Sequence, residues 1–213
     1  LLPNVSLTKD DNMIHYNPIP PNYLKFTAVE DNSTISLSSA NDPDIKYSLN
    51  GGEWTQWDYS AITLNTGDTV RMKGNNINGF NTGGWSYNKF QMTGKIGANG
   101  NIMSLVYEDD FEGELTIPSN RCFHGMFMGC SSLTTAPSLP AIILTEGCYL
   151  YMFTGCSSLT TTPVLPATTL ADSCYSNMFY NCTSLATAPE LPATSLMNGC
   201  YSSMFMNCTS LTT

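Results

Sequence analysis

The pattern of apolar and polar positions changes character near residue 121. From Cys122 onward one 26-residue arrangement returns: CFHGMFMGCSSLTTAPSLPAIILTEG, CYLYMFTGCSSLTTTPVLPATTLADS, CYSNMFYNCTSLATAPELPATSLMNG and the partial CYSSMFMNCTSLTT. With the first cysteine as position 0, apolar residues fall at 0, 1, 4, 5 and 8, as in Cys148, Tyr149, Met152, Phe153 and Cys156. That spacing predicts one face of a short helix of about two turns. Gly147, Ser173 and Gly199 stand before it as N-cap or turn residues. A leucine follows (Leu133, Leu159, Leu185 or Leu211), then a T-x-P-x-L-P segment. Its paired prolines cannot donate to a ladder, so it is expected to be extended with broken pairing. A fixed period of this length predicts a solenoid, in which each unit covers the apolar face of its neighbour. The expected repeat core is Cys122, Phe127, Cys130 and Leu133; Cys148, Phe153, Cys156 and Leu159; Cys174, Phe179, Cys182 and Leu185; and Cys200, Phe205, Cys208 and Leu211. The phenylalanines form its spine.

Upstream the pattern is different. Short alternating runs at 23–30, 34–38, 46–49, 53–57, 61–64, 69–73 and 89–92 lie between turn residues, among them Asn50-Gly51-Gly52. Strands at this spacing, with no helical period, predict a small β-sandwich over 22–94. Residues 1–21 hold Pro18, Pro20 and Pro21 and are expected to form an extended arm or linker without regular structure. Residues 95–121 form a connector that caps the solenoid at 122–213; within it, Asn101–Tyr107 is expected to be a covering strand. The last unit stops directly before its next Ala-Pro. The expectation is that the natural protein continues there or that this end meets a partner chain. Leu1 is likewise expected to follow a leader or an upstream domain.

Charge narrows the partners. All eight Lys and Arg lie at or before Arg121, the net charge is −9, and the repeats carry only Glu146, Asp172 and Glu190. A chain without a basic cluster is not built for nucleic acid or an anionic membrane surface, and no apolar run reaches membrane-spanning length. The eight cysteines all fall in the repeats, with gaps alternating between 8 and 18 residues. No CxxC pair is present, so zinc is not expected, and no other metal or cofactor is called for. Two arrangements remain: ladders of buried reduced thiols, or disulfide staples between units such as Cys130 with Cys148. The acids Glu108, Asp109, Asp110, Glu112 and Glu114 lack the order of a known calcium loop and read as a solvated turn.

Catalysis is not expected. A nucleophile or general base needs partners within hydrogen-bond reach, and the repeats offer His124, three acids and no lysine. Trp54, Trp57 and Trp85 suggest a glycan platform, against which stands the reading that they pack the core. Rows of small hydroxyls in equivalent columns suit an extended partner.

The segments LTIPSN at 115–120, MFMGCSSL at 126–133, MFTGCSSL at 152–159, MFYNCTSL at 178–185 and MFMNCTSL at 204–211 resemble BspA-like leucine-rich repeats. YSLNGGEW at 47–54 is similar to a hairpin of the Ig-like modules that precede such repeats in bacterial surface and phage proteins. The resemblance departs from the family in the extra cysteine, the Met before Phe and the paired prolines. It implies an α/β leucine-rich-repeat-like right-handed solenoid behind an Ig-like all-β sandwich. It also implies a non-enzymatic binding or adhesion protein outside the cell, at a cell or virion surface, recognising a protein or glycan of a host or bacterium. The alternative it implies is a bacteriophage fibre or tail receptor-binding protein, in which a homo-oligomer would be expected.

Overall fold

The computed structural model describes residues 5–10, 13–18, 20–82 and 86–212. Its strands in chain order are β1 (Val5–Asp10), β2 (Met13–Pro18), β3 (Leu24–Ala28), β4 (Ser33–Ser38), β5 (Lys46–Leu49), β6 (Thr55–Gln56), β7 (Ile62–Leu64), β8 (Thr69–Lys73), β9 (Lys89–Thr93), β10 (Ile96–Asn99) and β11 (Leu133–Thr135). One helical turn, α1 (Ser104–Tyr107), separates the last two.

The proline-rich start is not irregular: β1 and β2 pair as an antiparallel hairpin. Pro18 is the final residue of β2, opposite Val5, and Pro20 and Pro21 come after it. The prolines therefore stand where a missing N–H interrupts no ladder.

Beyond the hairpin, strands form a six-stranded sheet in the order β11-β10-β3-β8-β5-β6 and a three-stranded sheet β7-β4-β9. Alternation sets their inner faces: Leu24, Phe26 and Ala28 of β3 and Ile35 and Leu37 of β4 are buried. Phe90 of β9 links the two, with its ring 5.2 Å from Phe26 and 6.2 Å from Trp57. β10 lies where only a connector was expected, antiparallel to β3 and parallel to β11. The expected covering strand at 101–107 is instead α1 with its preceding turn, which buries Ile102, Met103, Leu105 and Val106. Because β11 belongs to the first repeat, the sheet runs from the N-terminal half into the repeats. One continuous core extends from Tyr23 to Cys208.

The repeats contain no helix among the described residues. Of the described residues 2% are helical and 24% strand, which overturns the expected α/β leucine-rich-repeat solenoid. The backbone shows why. Positive φ recurs at every fourth residue: Arg121, Gly125 and Gly129; Gly147, Tyr151 and Gly155; Ser173, Asn177 and Asn181; Gly199, Ser203 and Asn207. Each left-handed residue ends a right-handed turn before a helix can propagate. The N–H groups then alternate in use. Those of Met126, Met152 and Met178 bond three residues back, to Phe123, Tyr149 and Tyr175. Those of Phe127, Phe153 and Phe179 cross to the next unit, to the carbonyls of Met152, Met178 and Met204 at 2.9, 2.9 and 3.0 Å. The units thus stack as flat four-residue turns joined by a backbone ladder. Phe127, Phe153, Phe179 and Phe205 lie face to face at 5.4, 5.6 and 5.7 Å, within 5° of parallel. A second column runs Phe123, Tyr149, Tyr175, Tyr201 at 5.9, 5.7 and 5.8 Å. Just beyond the proline segments one isolated parallel bridge links each unit to the next, Thr116 to Ile143 to Thr169 to Ser195.

Strand β9 and the loop before it supply the layer beneath the first unit. Phe90 stacks on Phe127 at 5.4 Å and Phe80 on Phe123 at 6.3 Å. The N–H groups of Asn81 and Phe90 reach the carbonyls of Cys122 and Met126, each at 2.9 Å.

Candidate functional site

Chemistry-bearing side chains gather in three places: where the acidic connector meets the sheet, inside the stack, and along its lateral face. At the first, Lys73 reaches both carboxylate oxygens of Asp109 at 2.8 and 2.7 Å and lies 3.6 Å from Glu108, which accepts from Lys46 at 2.6 Å. The Tyr23 hydroxyl donates to Asp109 at 2.5 Å. Burial would raise the Asp109 carboxyl, but the bonds from Lys73 and Tyr23 outweigh it and hold the group below the ordinary value. Tyr23 moves the other way, raised by burial and then by Asp109. Lys46 is raised by its bond to Glu108. These acids are therefore tied to lysines of β5 and β8, and fasten the connector to the sheet. Among the described residues no group of three His, Cys, Asp or Glu could hold a metal ion.

Trp54 and Trp57 sit in different surroundings. Trp57 is 3% exposed and donates its indole N–H to Ser60. Trp54 is half-buried, edge-on to Tyr23 at 4.9 Å, with the Lys73 ammonium 4.8 Å and the Arg71 guanidinium 5.4 Å from its ring. The Lys73 and Arg71 cations lie against its ring. Trp85 lies outside the described residues. Trp57 is part of the core, and Trp54 is partly packed against it.

Inside the stack, all eight cysteines are free and buried. The second cysteine of each unit has a specific task. The thiols of Cys130, Cys156, Cys182 and Cys208 donate to the carbonyls of Phe90, Phe127, Phe153 and Phe179 in the layer before, at 3.0–3.2 Å. Burial holds Cys122, Cys130 and Cys182 up at about 12 and Cys174 at about 11, and lifts Cys148 and Cys156 well above the usual range. A thiol kept protonated and enclosed serves as a small donor and not as a nucleophile. Of the two arrangements that the cysteine period allowed, this is the ladder of buried thiols.

His124 is 3% exposed, its ring 4.6 Å from Tyr87 and 5.9 Å from Tyr151. Burial, and then the charge of Arg121, pushes its pKa down to about 4 from an ordinary 6.5. Between those values the unfolded chain binds more protons, so His124 contributes its full stability above about pH 6.5 and loses it as pH falls toward 4. Denaturant unfolding from about pH 7 to 4.5 is expected to show this decline, and His124→Phe to flatten it. Equal slopes in the two proteins would contradict the placement.

The lateral face is built differently. Thr162, Pro163, Val164, Pro189 and Glu190 line a shallow cleft, in which Val164 is 78% exposed. The repeats also carry exposed or half-buried hydroxyls at equivalent positions, Ser131, Ser157, Thr183 and Thr209, and Thr135, Thr161 and Thr187. Some hydroxyls are used internally, as Thr134 and Thr135 are on the carbonyls of Ile96 and Ala98.

No family model, curated protein or solved structure matches the chain. No helix among the described residues is long and apolar enough to cross a membrane.

Proposed function

We propose that the protein is a non-enzymatic recognition module whose stacked repeats present their lateral face to a protein or glycan partner. The observation that carries this reading is the side cleft around Val164, an aliphatic side chain left 78% exposed in repeats that carry hydroxyls at equivalent positions. Ring columns spaced 5.4–5.7 Å apart set the repeat of those hydroxyls, a spacing suited to an extended ligand. The burial of the thiols and of His124 is consistent with a role in binding without chemistry. The setting outside the cell, at a cell or virion surface, rests on the motif resemblance.

The test is flow cytometry of the labelled chain on intact bacterial and animal cells. Val164→Arg changes a solvent-facing side chain and leaves the core alone, so folding should be preserved. Binding to one of the cell types is expected, with affinity reduced about tenfold or more in the variant. No binding to either cell type, or equal binding by the two proteins, would contradict the reading.

A further inference from the structure

The first repeat departs from its copies on the outside of the bridge ladder, whose successive rungs are Thr116, Ile143, Thr169 and Ser195. In the second and third units the exposed residues there are Thr168 with Thr169, and Thr194 with Ser195. The first unit has Ile142 and Ile143 instead, 41% and 56% exposed, and Leu115 in the layer before is 38% exposed. The three are adjacent, because the N–H groups of Ile142 and Ile143 both donate to the Leu115 carbonyl, at 2.9 and 3.1 Å. The core does not need these side chains, since Ile117, Leu144 and Leu170 fill the inward positions of the same segments. Nor does the backbone, since threonine, equally β-branched, holds the same rung one unit on. Neighbouring aliphatic side chains left in water where the repeat otherwise places hydroxyls mark a contact surface.

A cavity of about 350 Å³ adjoins this patch, lined by Asn75, Ile77, Tyr107, Glu108, Asp109 and Asp110. Tyr107 joins the two, because its hydroxyl donates to the carbonyl of Thr116 at 3.0 Å. Ile77 is exposed. Glu108 and Asp109 are occupied by Lys46 and Lys73. The carboxylates of Asp110 and Glu114 are exposed and form no ion pair among the described residues.

Charge selects the occupant. From Glu108 to Thr212 there are eight acids and one cation, Arg121. A second copy meeting by this face would set acid against acid, and an anionic lipid surface would be repelled. The complement is a polypeptide with aliphatic side chains next to a lysine or arginine. The apolar stem of that residue can lie along Ile77 and Tyr107 while its cationic head reaches Asp110.

We infer that this surface docks a basic, aliphatic segment of a protein partner, seated on Leu115, Ile142 and Ile143 with a lysine or arginine in the cavity beside Asp110. It is built of other residues than the side cleft around Val164 and goes beyond that reading.

The probe is the acetylated and amidated peptide GLKLKG, titrated into the full chain and followed by methyl and amide NMR shifts. Leu115, Ile142, Ile143 and Asp110 are expected to shift, with Phe153 unmoved. Ile142→Thr combined with Ile143→Thr installs the side chains of the second unit, and is expected to weaken binding about tenfold or more. Asp110→Asn is expected to weaken it as well and to reduce its dependence on salt. Unchanged shifts at Phe127 and Phe153 report that each variant remains folded. The peptides GSKSKG, without the aliphatic side chains, and GLELEG, with the charges reversed, should bind far more weakly. The inference is overturned by no shift at saturating peptide, by equal binding of either control peptide, or by equal binding to the threonine variant. Concentration-dependent shifts at Ile142 and Ile143 without peptide would overturn it too, because that would mean self-pairing. The Val164→Arg chain keeps this surface intact, so failure of the lateral reading and failure of this one are separable.

Discussion

Phe153→Ala is expected to lower stability by about 3–5 kcal/mol. The ring is fully buried between Phe127 and Phe179, parallel to both within 4°. Removing it takes a side chain from the middle of a column whose layers are fixed by the backbone ladder, so the neighbouring rings cannot close the gap. Phe205→Ala should cost much less, because that ring is only half-buried and stacks on Phe179 alone. Urea unfolding of the two variants against the parent measures the difference. Equal losses would mean that the rings do not form a continuous buried column.

Gly100→Ala is the second large effect, with an expected loss of about 3 kcal/mol or more. Gly100 has φ +76°, and a Cβ there would overlap the carbonyl oxygen of Tyr23 and lie 2.8 Å from its carbon. The obstacle is backbone, which has no rotamer to retreat into. The same turn carries bonds that join sheet and stack, from the N–H of Asn101 to Asn22 and from the N–H of Ser138 to Gly100. Thermal unfolding of the variant should therefore show a loss shared by both halves in one transition. A stability change within about 0.5 kcal/mol, the range of an ordinary surface substitution, would contradict this placement.

The strands from β3 to β9 were legible because alternation and turn residues agree over short distances: 46–49 and 69–73 are the same in pattern and in fold. The hairpin of β1 and β2 was not, because its prolines read as breakers in the sequence. β10 was not legible, since Ile-Gly-Ala-Asn has little strand preference and is held by β3 and β11, one of them more than thirty residues downstream. The run 101–107 was misread as a strand because a short apolar stretch carries no period of its own. The repeats illustrate a subtler ambiguity. Apolar positions 0, 1, 4, 5 and 8 fit a helix of 3.6 residues per turn and a coil of four equally well over nine residues. The deciding signal is the set of positive-φ positions, Gly125 and Gly129 or Asn177 and Asn181, where residues tolerant of that conformation recur every four. Arg121, four residues before Gly125, and Tyr151, in the place of Gly125 one unit later, mask it. As for the candidate sites, the lysine partners of Glu108 and Asp109 come from distant strands, so the acidic run alone could not show that its charges are tied down.

The repeats stack through alternate backbone N–H groups and not through helices. Through-hydrogen-bond scalar couplings in an NMR spectrum distinguish the two arrangements. A coupling is expected from the Phe153 amide to the Met178 carbonyl, with its counterparts from Phe127 to Met152 and from Phe179 to Met204. A coupling from the Phe153 amide to the Tyr149 carbonyl, four residues back as in an α-helix, would contradict it.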